Sequence, residues 1–578
     1  MNLFQRIIFM AAGFCVFSAQ SLQAKSGVNG NTADYVIVGL GSAGCVLAKQ
    51  LTDDKKTSVI ALHSGQNFTD SFLIKYAKNT ALSVLSVLLG SPLPFNLASL
   101  NLPADIQAEF DEILQQSENA AKPLYETGVS IPQSNANNRE ILWAISLPLA
   151  GGTAVNAGAW CRGTNQLYAK WEAIAGKEWS VGKILDIFKK LENYRGRTNN
   201  PKARGQHGPL RVRQDSTSKL SKVFTEAVLK ATVSPFVLDY NDPTTPVGVS
   251  SQFQLTRRGQ SSFYRVSSAT AFLDRHVMES DGKGAHNRKL QVHFESTGLR
   301  TIWEGTKAVG VEYIQNGVVK QVYANKAVIV CAGLRSSPFL MHSGVGPASL
   351  LTSLGIPVVF DNPNVGQNLT DQPNTVMVFS SNPHDSNSNG NGIFSQIAWL
   401  PDPMGDPISR QVRFSTLDIV PGITLGILDL CQAKSRGSVS INSANPLDPI
   451  VVDLGVLSNS DDLDLFVSAY SIYVKDIVNK LQEIDPLYQL IYPDPAILDD
   501  ITLLTDFVRQ AVGSNLHFQS HCRLAPFSQG GVVDSFGRVY GVQNLIVADN
   551  SINPEGMDGS PMATAYLVAA NIARLLGY

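Results

Sequence analysis

Short, nearly continuous apolar runs at three places along the chain predict strands that are buried on both faces. The runs occupy residues 35–38, 59–62 and 327–330, and each ends in a glycine or a turn. Half-exposed strands alternate apolar and polar positions, whereas the strands of a parallel sheet are covered on both faces and lose that alternation. The pattern therefore predicts an α/β fold built around a parallel sheet.

The stretches between these runs carry other patterns and predict a second domain. Helical patterns occur at residues 81–89 and 461–480, and strand-like patterns occur at residues 393–399 and 414–417. The first domain is discontinuous and comprises residues 33–65, 131–165, 260–370 and 516–578. The second domain and a covering segment comprise residues 66–130, 166–259 and 371–515.

A glycine-rich loop directly follows the first apolar run. It contains Gly39, Gly41 and Gly44, with Ser42 and Ala43 between the last two, and a helical stretch and the second apolar run come next. At this spacing the first glycine permits a tight turn, the second lets the backbone approach a pyrophosphate, and the third lets the helix pack closely on the strand. The helix N-terminus then faces the phosphates. The order of strand, loop, helix and strand predicts a dinucleotide-binding site.

The end of the second apolar run departs from the usual dinucleotide-binding pattern. Such sites place Asp or Glu there to hold the ribose hydroxyls, whereas this chain has His63. A neutral imidazole offers one acceptor nitrogen where a carboxylate offers two oxygens. Two interpretations stay open, namely a weaker contact with the ribose and a surface histidine at the end of a strand.

Three later groups of motifs narrow the type of cofactor. They comprise Leu-Ala-Gly-Gly-Thr-Ala-Val-Asn at 149–156 with Trp-Cys-Arg-Gly at 160–163, Cys-Ala-Gly at 331–333 with Ser-Gly-Val-Gly at 343–346, and the C-terminal segments at 517–522, 547–551 and 559–564. Together with the glycine loop, these motifs resemble the glucose–methanol–choline (GMC) oxidoreductase family from about residue 33 to the C-terminus. The resemblance implies FAD, in a Rossmann-like FAD-binding domain interleaved with an α+β substrate domain that carries an antiparallel sheet.

The resemblance also implies which residues lie along the FAD. Beyond the glycine loop and His63, they are Gly152, Thr153, Asn156, Ala157, Gly158, Ala159, Leu299, Asp549, Ser560, Pro561 and Met562. Leu299 would offer its backbone to the adenine, and the helix that starts beside Met562 would stabilise negative charge on the reduced flavin. Because residues 156–162 contain no histidine, we expect the FAD to be bound non-covalently.

Family members oxidise an alcohol by removing the hydroxyl proton and transferring hydride to flavin N5. The position of the base corresponds to His517, and a neutral imidazole suits that role. The second catalytic position, His or Asn in the family, is Ser560 here, and serine is not a base near neutral pH. His521 is a candidate for a second imidazole, although a ring that faces away is the favoured interpretation. Gln372 stands where a family loop ends in a histidine.

These residues predict an FAD-dependent enzyme that oxidises a small-molecule alcohol and passes electrons to oxygen or a quinone. One alternative is a non-redox lyase of the hydroxynitrile-lyase type, and another is a flavin-binding protein of low activity, because His63 and Ser560 depart from the pattern. A fatty-acid photodecarboxylase is the weakest alternative. Cys431 lies where those enzymes carry a key cysteine, but Ile450 replaces their arginine, so we interpret Cys431 as a packing residue.

Composition argues against one class of partner, and the N-terminal segment predicts where the protein is located. The formal net charge of −2 argues against a nucleic-acid partner. Residues 1–24 combine Arg6, an apolar run at 7–17 and a small residue, Ala24, which predicts a signal peptide and export to the periplasm or medium. The run is shorter than the ~20 apolar residues that span a bilayer, so we expect no transmembrane segment in the mature chain.

The six cysteines form no CxxC pair, which argues against a zinc site, and one disulfide is possible.

Overall fold

The computed structural model describes residues 30–67, 124–245, 247–258, 264–386 and 394–578. The segment at 1–24 and the helical pattern at 81–89 lie outside the described residues. The strands are β1 (Thr32–Val38), β2 (Val59–Leu62), β3 (Tyr125–Val129), β4 (Leu142–Ser146), β5 (Glu192–Tyr194), β6 (Leu210–Gln214), β7 (Gly248–Ser250), β8 (Gln254–Thr256), β9 (Leu290–His293), β10 (Ser296–Glu304), β11 (Lys307–Gln315), β12 (Val318–Val330), β13 (Val345–Gly346), β14 (Phe360–Asp361), β15 (Gln367–Leu369), β16 (Pro373–Ser380), β17 (Phe394–Leu400), β18 (Val412–Val420), β19 (Ile423–Leu430), β20 (Gly437–Ser440), β21 (Val451–Asp453), β22 (Leu490–Tyr492), β23 (Gly513–Ser514) and β24 (Leu545–Val547).

The helices of the described residues are α1 (Ser42–Leu51), α2 (Gly152–Val155), α3 (Asn165–Ala175), α4 (Val181–Leu191), α5 (Lys219–Ala231), α6 (Ser268–Phe272), α7 (Ser336–His342), α8 (Ala348–Ser353), α9 (Ser460–Ala469), α10 (Lys475–Ile484), α11 (Ile501–Ala511) and α12 (Met562–Leu575). A π-helical turn, Tyr470–Val474, joins α9 to α10. None of these helices is long and apolar enough to cross a bilayer.

A sheet built around parallel strands forms the core of the first domain. β1 pairs in parallel with β2 and β12, β2 pairs with β9, and β12 pairs with β24. β10 and β11 extend the sheet by antiparallel pairing beside β12. The three apolar runs lie in β1, β2 and β12, and most of their side chains are fully buried, which confirms the predicted parallel strands.

The first and last segments of the chain share this core. β24 lies beside β12, and α12 packs against α1, which follows β1. The side chains of α12 are buried from Met562 to Ala573, because the helix lies between the sheet and its neighbours. The carboxyl ends of β1, β2, β12 and β24 therefore come together at one edge of the sheet.

A six-stranded antiparallel path forms the second domain, in the order β22, β16, β19, β18, β17 and β7, with β23 beside β16. The strand-like patterns at 393–399 and 414–417 fall in β17 and β18, and the pattern at 461–480 falls in α9, the π-turn and α10. The predicted fold class is thereby confirmed. The β3–β4 hairpin joins strands from both sides of the boundary we placed after residue 130, and the domain boundaries stay a prediction.

Candidate active site

Two adjoining cavities lie between the parallel sheet and the antiparallel sheet. The large cavity, of about 670 Å³, follows the carboxyl ends of β1, β2, β12 and β24. The small cavity, of about 300 Å³, reaches the antiparallel strands β18 and β19. Ser42, Gly152 and Asn550 line both cavities. Clefts at the carboxyl ends of parallel strands are the usual binding sites of α/β proteins.

The glycine loop forms one wall of the large cavity. Gly39 has φ +97°, and a Cβ there would lie 2.5 Å from the carbonyl oxygen of Cys331. A Cβ at Gly44 would lie 2.1 Å from the carbonyl oxygen of Gly39, so α1 can approach β1 only because this residue is glycine. Gly39, Gly41, Ser42 and Ala43 line the cavity, whereas Gly44 does not.

The N-terminus of α1 suits an anionic group. Gly41, its N-cap, has no side chain that could accept the free N–H groups of the first turn. Those N–H groups and the helix dipole favour negative charge at this end. The arrangement suits the pyrophosphate of a dinucleotide.

Gly152 and the residues after α2 continue this wall into the small cavity. Gly152 is exposed, and a Cβ there would meet no atom within 4 Å, so the backbone borders open space. Asn156 accepts hydrogen bonds from the Gly158 N–H (3.0 Å) and from Nη1 of Arg265 (3.1 Å). These bonds fix the turn that brings Asn156, Ala157, Gly158 and Ala159 to the small cavity.

The side chain of Thr153 lies behind the cavity wall and supports it. It lines neither cavity, because its hydroxyl donates to the carbonyl oxygen of Ala150 (2.9 Å) and accepts from the Ser268 N–H (3.0 Å). The side chain holds α2 against α6. The place of Thr153 along the FAD stays a prediction, and the structure gives its side chain a supporting role.

His63 and Leu299 lie where the nucleoside end of a dinucleotide is expected. His63 lines the large cavity and is buried, so the interpretation as a surface histidine is wrong. Burial lowers the pKa of His63 to about 4, so its ring is neutral. Leu299 also lines this cavity, and a bulge in β10 between Gly298 and Arg300 leaves it outside the ladder with β11. Its backbone groups are thus available to a ligand.

Asp549 ties the end of β24 to the end of β12. Its carboxylate accepts hydrogen bonds from the Gly333 N–H (2.9 Å), the Ser336 hydroxyl (2.7 Å) and the Ser551 N–H (2.8 Å). Burial raises the pKa of Asp549. Since Asp549 lines the large cavity, it both shapes the wall and offers remaining acceptor capacity to a ligand.

The described residues fit FAD. The uncapped α1 terminus suits the pyrophosphate, the open backbone at Gly152 leaves room beside it, and the unpaired Leu299 suits the adenine. Ser560, Pro561 and Met562 line the small cavity at the start of α12, where the helix dipole favours negative charge on a flavin ring.

His517 lies in the wall of the small cavity in a defined orientation. Its backbone N–H donates to Asp371 (2.9 Å), and the preceding Leu516 adopts φ +59°, a region that leucine rarely occupies. Burial, and then the charge of Arg413, lower the pKa of His517 to about 3. The ring is therefore neutral at ordinary pH.

Gln372 determines which nitrogen of His517 carries the proton. The side-chain N–H₂ of Gln372 donates to the carbonyl oxygens of Cys431 (3.1 Å), Met557 (2.9 Å) and Gly559 (2.9 Å). This fixes the orientation of the amide, so its Oε1, which lies 2.7 Å from Nδ1 of His517, must accept. Nδ1 then carries the hydrogen, and Nε2 keeps a lone pair with no protein partner among the described residues.

Arg413 and Asp429 lie on the same wall, although no sequence motif pointed to either residue. They are cross-strand partners in β18 and β19, and Nε of Arg413 donates to Asp429 at 2.9 Å. Nη1 of Arg413 donates to the hydroxyl of Ser560, also at 2.9 Å. A charged residue near one end of each strand was the available signal, since such charges need partners when buried.

His521 is removed from the reacting end. It lines neither cavity, its Nδ1 lies 2.8 Å from the hydroxyl of Ser337, and burial lowers its pKa to about 3. The catalytic role that we considered for His521 is therefore corrected to a buried structural one, in agreement with a ring that faces away. Cys431 is also buried, in a cluster with Trp399 and Tyr240.

The rest of the small cavity is mainly apolar. Phe253 and Phe394 stack with their centroids 4.2 Å apart and form one side. Phe518, Leu417 and Ile427 add further apolar surface. The cavity can therefore hold a small apolar group beside His517, Arg413 and Ser560.

The chain matches known proteins along nearly its whole length. Models of GMC oxidoreductases match residues 33–374 and 433–569. The chain is 28% identical to alcohol dehydrogenase (acceptor) of Pseudomonas putida, over 94% of this chain and 95% of that protein. It is 27% identical to mitochondrial choline dehydrogenase of Homo sapiens, over 96% and 92%. An FAD-dependent oxidoreductase from Chaetomium thermophilum has a similar fold, with a TM-score of 0.78 at 22% identity, over 94% and 99%.

Proposed function

This chain belongs to the GMC oxidoreductase family, and from that premise we propose that it oxidises the hydroxyl group of a small, neutral alcohol. The family supports an FAD-dependent oxidoreductase, and bound FAD supplies the two-electron oxidant that accepts hydride from the substrate carbon. The observation that carries the proposal is the lone pair at Nε2 of His517, which Gln372 aims into the small cavity.

His517 acts as the general base. Its neutral Nε2 accepts the hydroxyl proton of the substrate, while Nδ1 keeps its hydrogen bond to Gln372. Loss of that proton raises the electron density on the carbon and makes departure of its hydride easier. The mainly apolar walls lower the local polarity around this proton transfer.

The charges in the small cavity support a neutral substrate. Choline, named for one relative, carries a permanent positive charge. In this chain the carboxylate of Asp429 already accepts from Arg413 and Asn515, so its charge is balanced by the guanidinium and it offers no free counter-ion to a cationic substrate. Phe253 and Phe394 instead offer an apolar wall to an alkyl or aromatic group.

An anaerobic titration of the FAD-loaded protein tests this function. We expect at least one alcohol from a panel of alkyl and aromatic alcohols to bleach the flavin absorption. His517→Ala should lower the rate of bleaching by about 10²–10⁴-fold, the contribution of general base catalysis. His384→Ala, at an exposed histidine, is the matched control and should keep the full rate.

Two outcomes would contradict the proposal. Full activity in His517→Ala would exclude this residue as the base. Release of cyanide from mandelonitrile without flavin reduction would assign a lyase activity instead.

Further proposals concern the cofactor linkage, the electron acceptor and the location. We propose non-covalent FAD, transfer of electrons to oxygen or a quinone, and export after removal of residues 1–24. Acid precipitation should release the flavin into the supernatant. Reoxidation of the reduced protein by air and by a soluble quinone compares the two acceptors, and the mass of the exported protein reports the cleavage.

A further inference from the structure

Arg413 places a permanent positive charge in the wall of the small cavity. Both Arg413 and Asp429 are buried, and Nε of Arg413 donates to Oδ2 of Asp429 at 2.9 Å. The other oxygen of Asp429 accepts from Asn515, whose own side-chain oxygen accepts from Asn374 at 2.8 Å. Burial opposes the charge of Arg413, but Asp429 outweighs it and raises the pKa of Arg413. The guanidinium is therefore charged and held in one orientation.

Ser560 is bound by this cation in a way that leaves its proton available. Nη1 of Arg413 donates to the hydroxyl oxygen at 2.9 Å. A guanidinium has no acceptor, so the O–H of Ser560 must point elsewhere. The thiol of Cys161 lies beside Ser560, but sulfur is a weak acceptor. A stronger acceptor in the small cavity would therefore take the O–H bond.

We propose that Arg413 and Ser560 together bind the oxygen atom of the substrate and stabilise the negative charge that it gains when His517 removes its proton. This inference rests on the alcohol oxidation proposed above. In that step the O–H bond breaks, the proton goes to Nε2 of His517, and the electron pair stays on the oxygen. In the family pattern a histidine or asparagine stands at the position of Ser560 as the second catalytic residue. Arg413 and Ser560 together thus replace that residue.

The physical reason is preorganised charge in a mainly apolar cavity. Donors that are already oriented towards a developing oxyanion need no reorganisation when the charge appears, and low polarity strengthens their effect. Ser560 alone supplies one neutral donor, whereas Arg413 adds a full charge and polarises that donor. The same charge contributes to the low pKa of His517, which keeps the base neutral.

Steady-state kinetics of the FAD-loaded protein test the pair. With an alcohol that reduces the wild-type flavin, Arg413→Met should lower kcat by about 10²–10³-fold with little change in KM, because the interaction forms mainly in the transition state. Ser560→Ala should lower kcat less, and Arg413→Lys should recover part of the loss. Arg257→Met is the matched control, since Arg257 forms a buried pair with Asp215 (2.8 Å) and lines neither cavity. It should keep the wild-type kcat.

The pH dependence of kcat/KM distinguishes an electrostatic role of Arg413 from a purely structural one. His517 has a pKa of about 3 here, so kcat/KM of the wild type should keep its value well below pH 6.5. Removal of the Arg413 charge raises the pKa of His517, so the acidic limb of Arg413→Met should shift to higher pH. In Arg257→Met the limb should stay in place.

Binding of benzoate gives a readout without turnover. We expect benzoate, followed by its effect on the flavin absorption, to bind the wild type and to bind Arg413→Met about tenfold more weakly, equivalent to about 1.4 kcal/mol. If no alcohol reduces the flavin but benzoate binding depends on Arg413, the proposed function fails and the anion-binding pair stands. If alcohols reduce the flavin and Arg413→Met keeps kcat, pH profile and benzoate affinity, the pair is overturned and the function stands.

A double variant tests the proposal even if Arg413→Met does not fold. Arg413→Met leaves Asp429 buried and unpaired, which destabilises a protein strongly, whereas replacing both partners by apolar residues is often tolerated. The double variant Arg413→Met/Asp429→Leu removes both charges and should show the same loss of kcat and benzoate affinity. A double variant that holds FAD and keeps both values would refute the proposal even if the single variant does not fold.

Discussion

Gln372 provides a sharp test at the scale of a single residue. Gln372→Met keeps the approximate volume but removes the oxygen that accepts from Nδ1 of His517. The ring then loses the partner that fixes its tautomer, and we expect kcat to fall by about 10²-fold, the lower end of the contribution of general base catalysis. KM should change little, because the substrate contacts stay in place.

Gln396→Met is the control for this prediction. Gln396 is as buried as Gln372, lies in β17 and lines neither cavity. An equal loss of kcat in both variants would show that any change in a buried glutamine disturbs the site, and the specific role of Gln372 would be wrong.

The residues of the site differ in how far the sequence reveals them. His517, Asp549 and the glycine loop belong to continuous motifs, so local patterns identify them. The departure at Gln372 is visible in the sequence, but its role depends on three carbonyl oxygens from distant segments. Arg413 meets Asp429 and Ser560 only through strand pairing and the return of the C-terminus. No local pattern contains that information.

At the scale of elements, the short helix α2 borders the large cavity through Gly152. A side chain at Gly152 would project into open space where the structure suits FAD, because a Cβ there meets no atom within 4 Å. We expect Gly152→Leu to weaken FAD binding by at least about tenfold, or about 1.4 kcal/mol, without lowering the melting temperature of the FAD-free protein. Fluorescence titration with FAD and a thermal melt measure the two quantities.

Gly182→Leu is the matched control in α4. A Cβ at Gly182 also meets no atom within 4 Å, but the residue lines neither cavity. It should bind FAD as the wild type does. Unchanged FAD affinity in Gly152→Leu would mean that the cofactor lies elsewhere.

The types of the elements were easier to predict than their limits. The apolar run at 327–330 marks only the buried end of β12. The strand begins at Val318, and its first four residues are exposed, so no continuous buried run extends back to them. The helix predicted to follow the glycine loop already begins within it, at Ser42, and Gly44 lies inside α1. The bulge at Leu299 has no signal in the periodicity, because it arises from pairing with β11.

At the scale of the whole molecule, long-range pairing defines the first domain. β24 joins β12 although more than 200 residues separate them, and α12 packs on α1. Hydrophobic periodicity detects each of these elements but contains no information about their partners. The resemblance to a family supplied the order of the segments, and the structure supplied the contacts between the two sheets.

The buried core gives a final prediction about the cysteines. Cys45, Cys161, Cys331, Cys431 and Cys522 are free and buried in the described residues. Burial raises the pKa of Cys45 and Cys431 to about 12 and also raises the pKa of the other three. Since the thiolate is the reactive form, and all five side chains are buried, the folded protein should react with a thiol reagent such as DTNB only slowly at pH 8.

Unfolding in guanidinium exposes the same thiols, so that their reaction with DTNB counts them. We expect five reactive thiols per chain if the N-terminal segment has been removed, and six if Cys15 is retained. Prior reduction should not change the number, because the structure pairs none of the five described cysteines. A rise by two after reduction would reveal a disulfide and would contradict this core. Rapid reaction of the folded protein would instead show that part of the core opens, which the packing of β1, β12, β24 and α12 around Cys45 and Cys331 argues against.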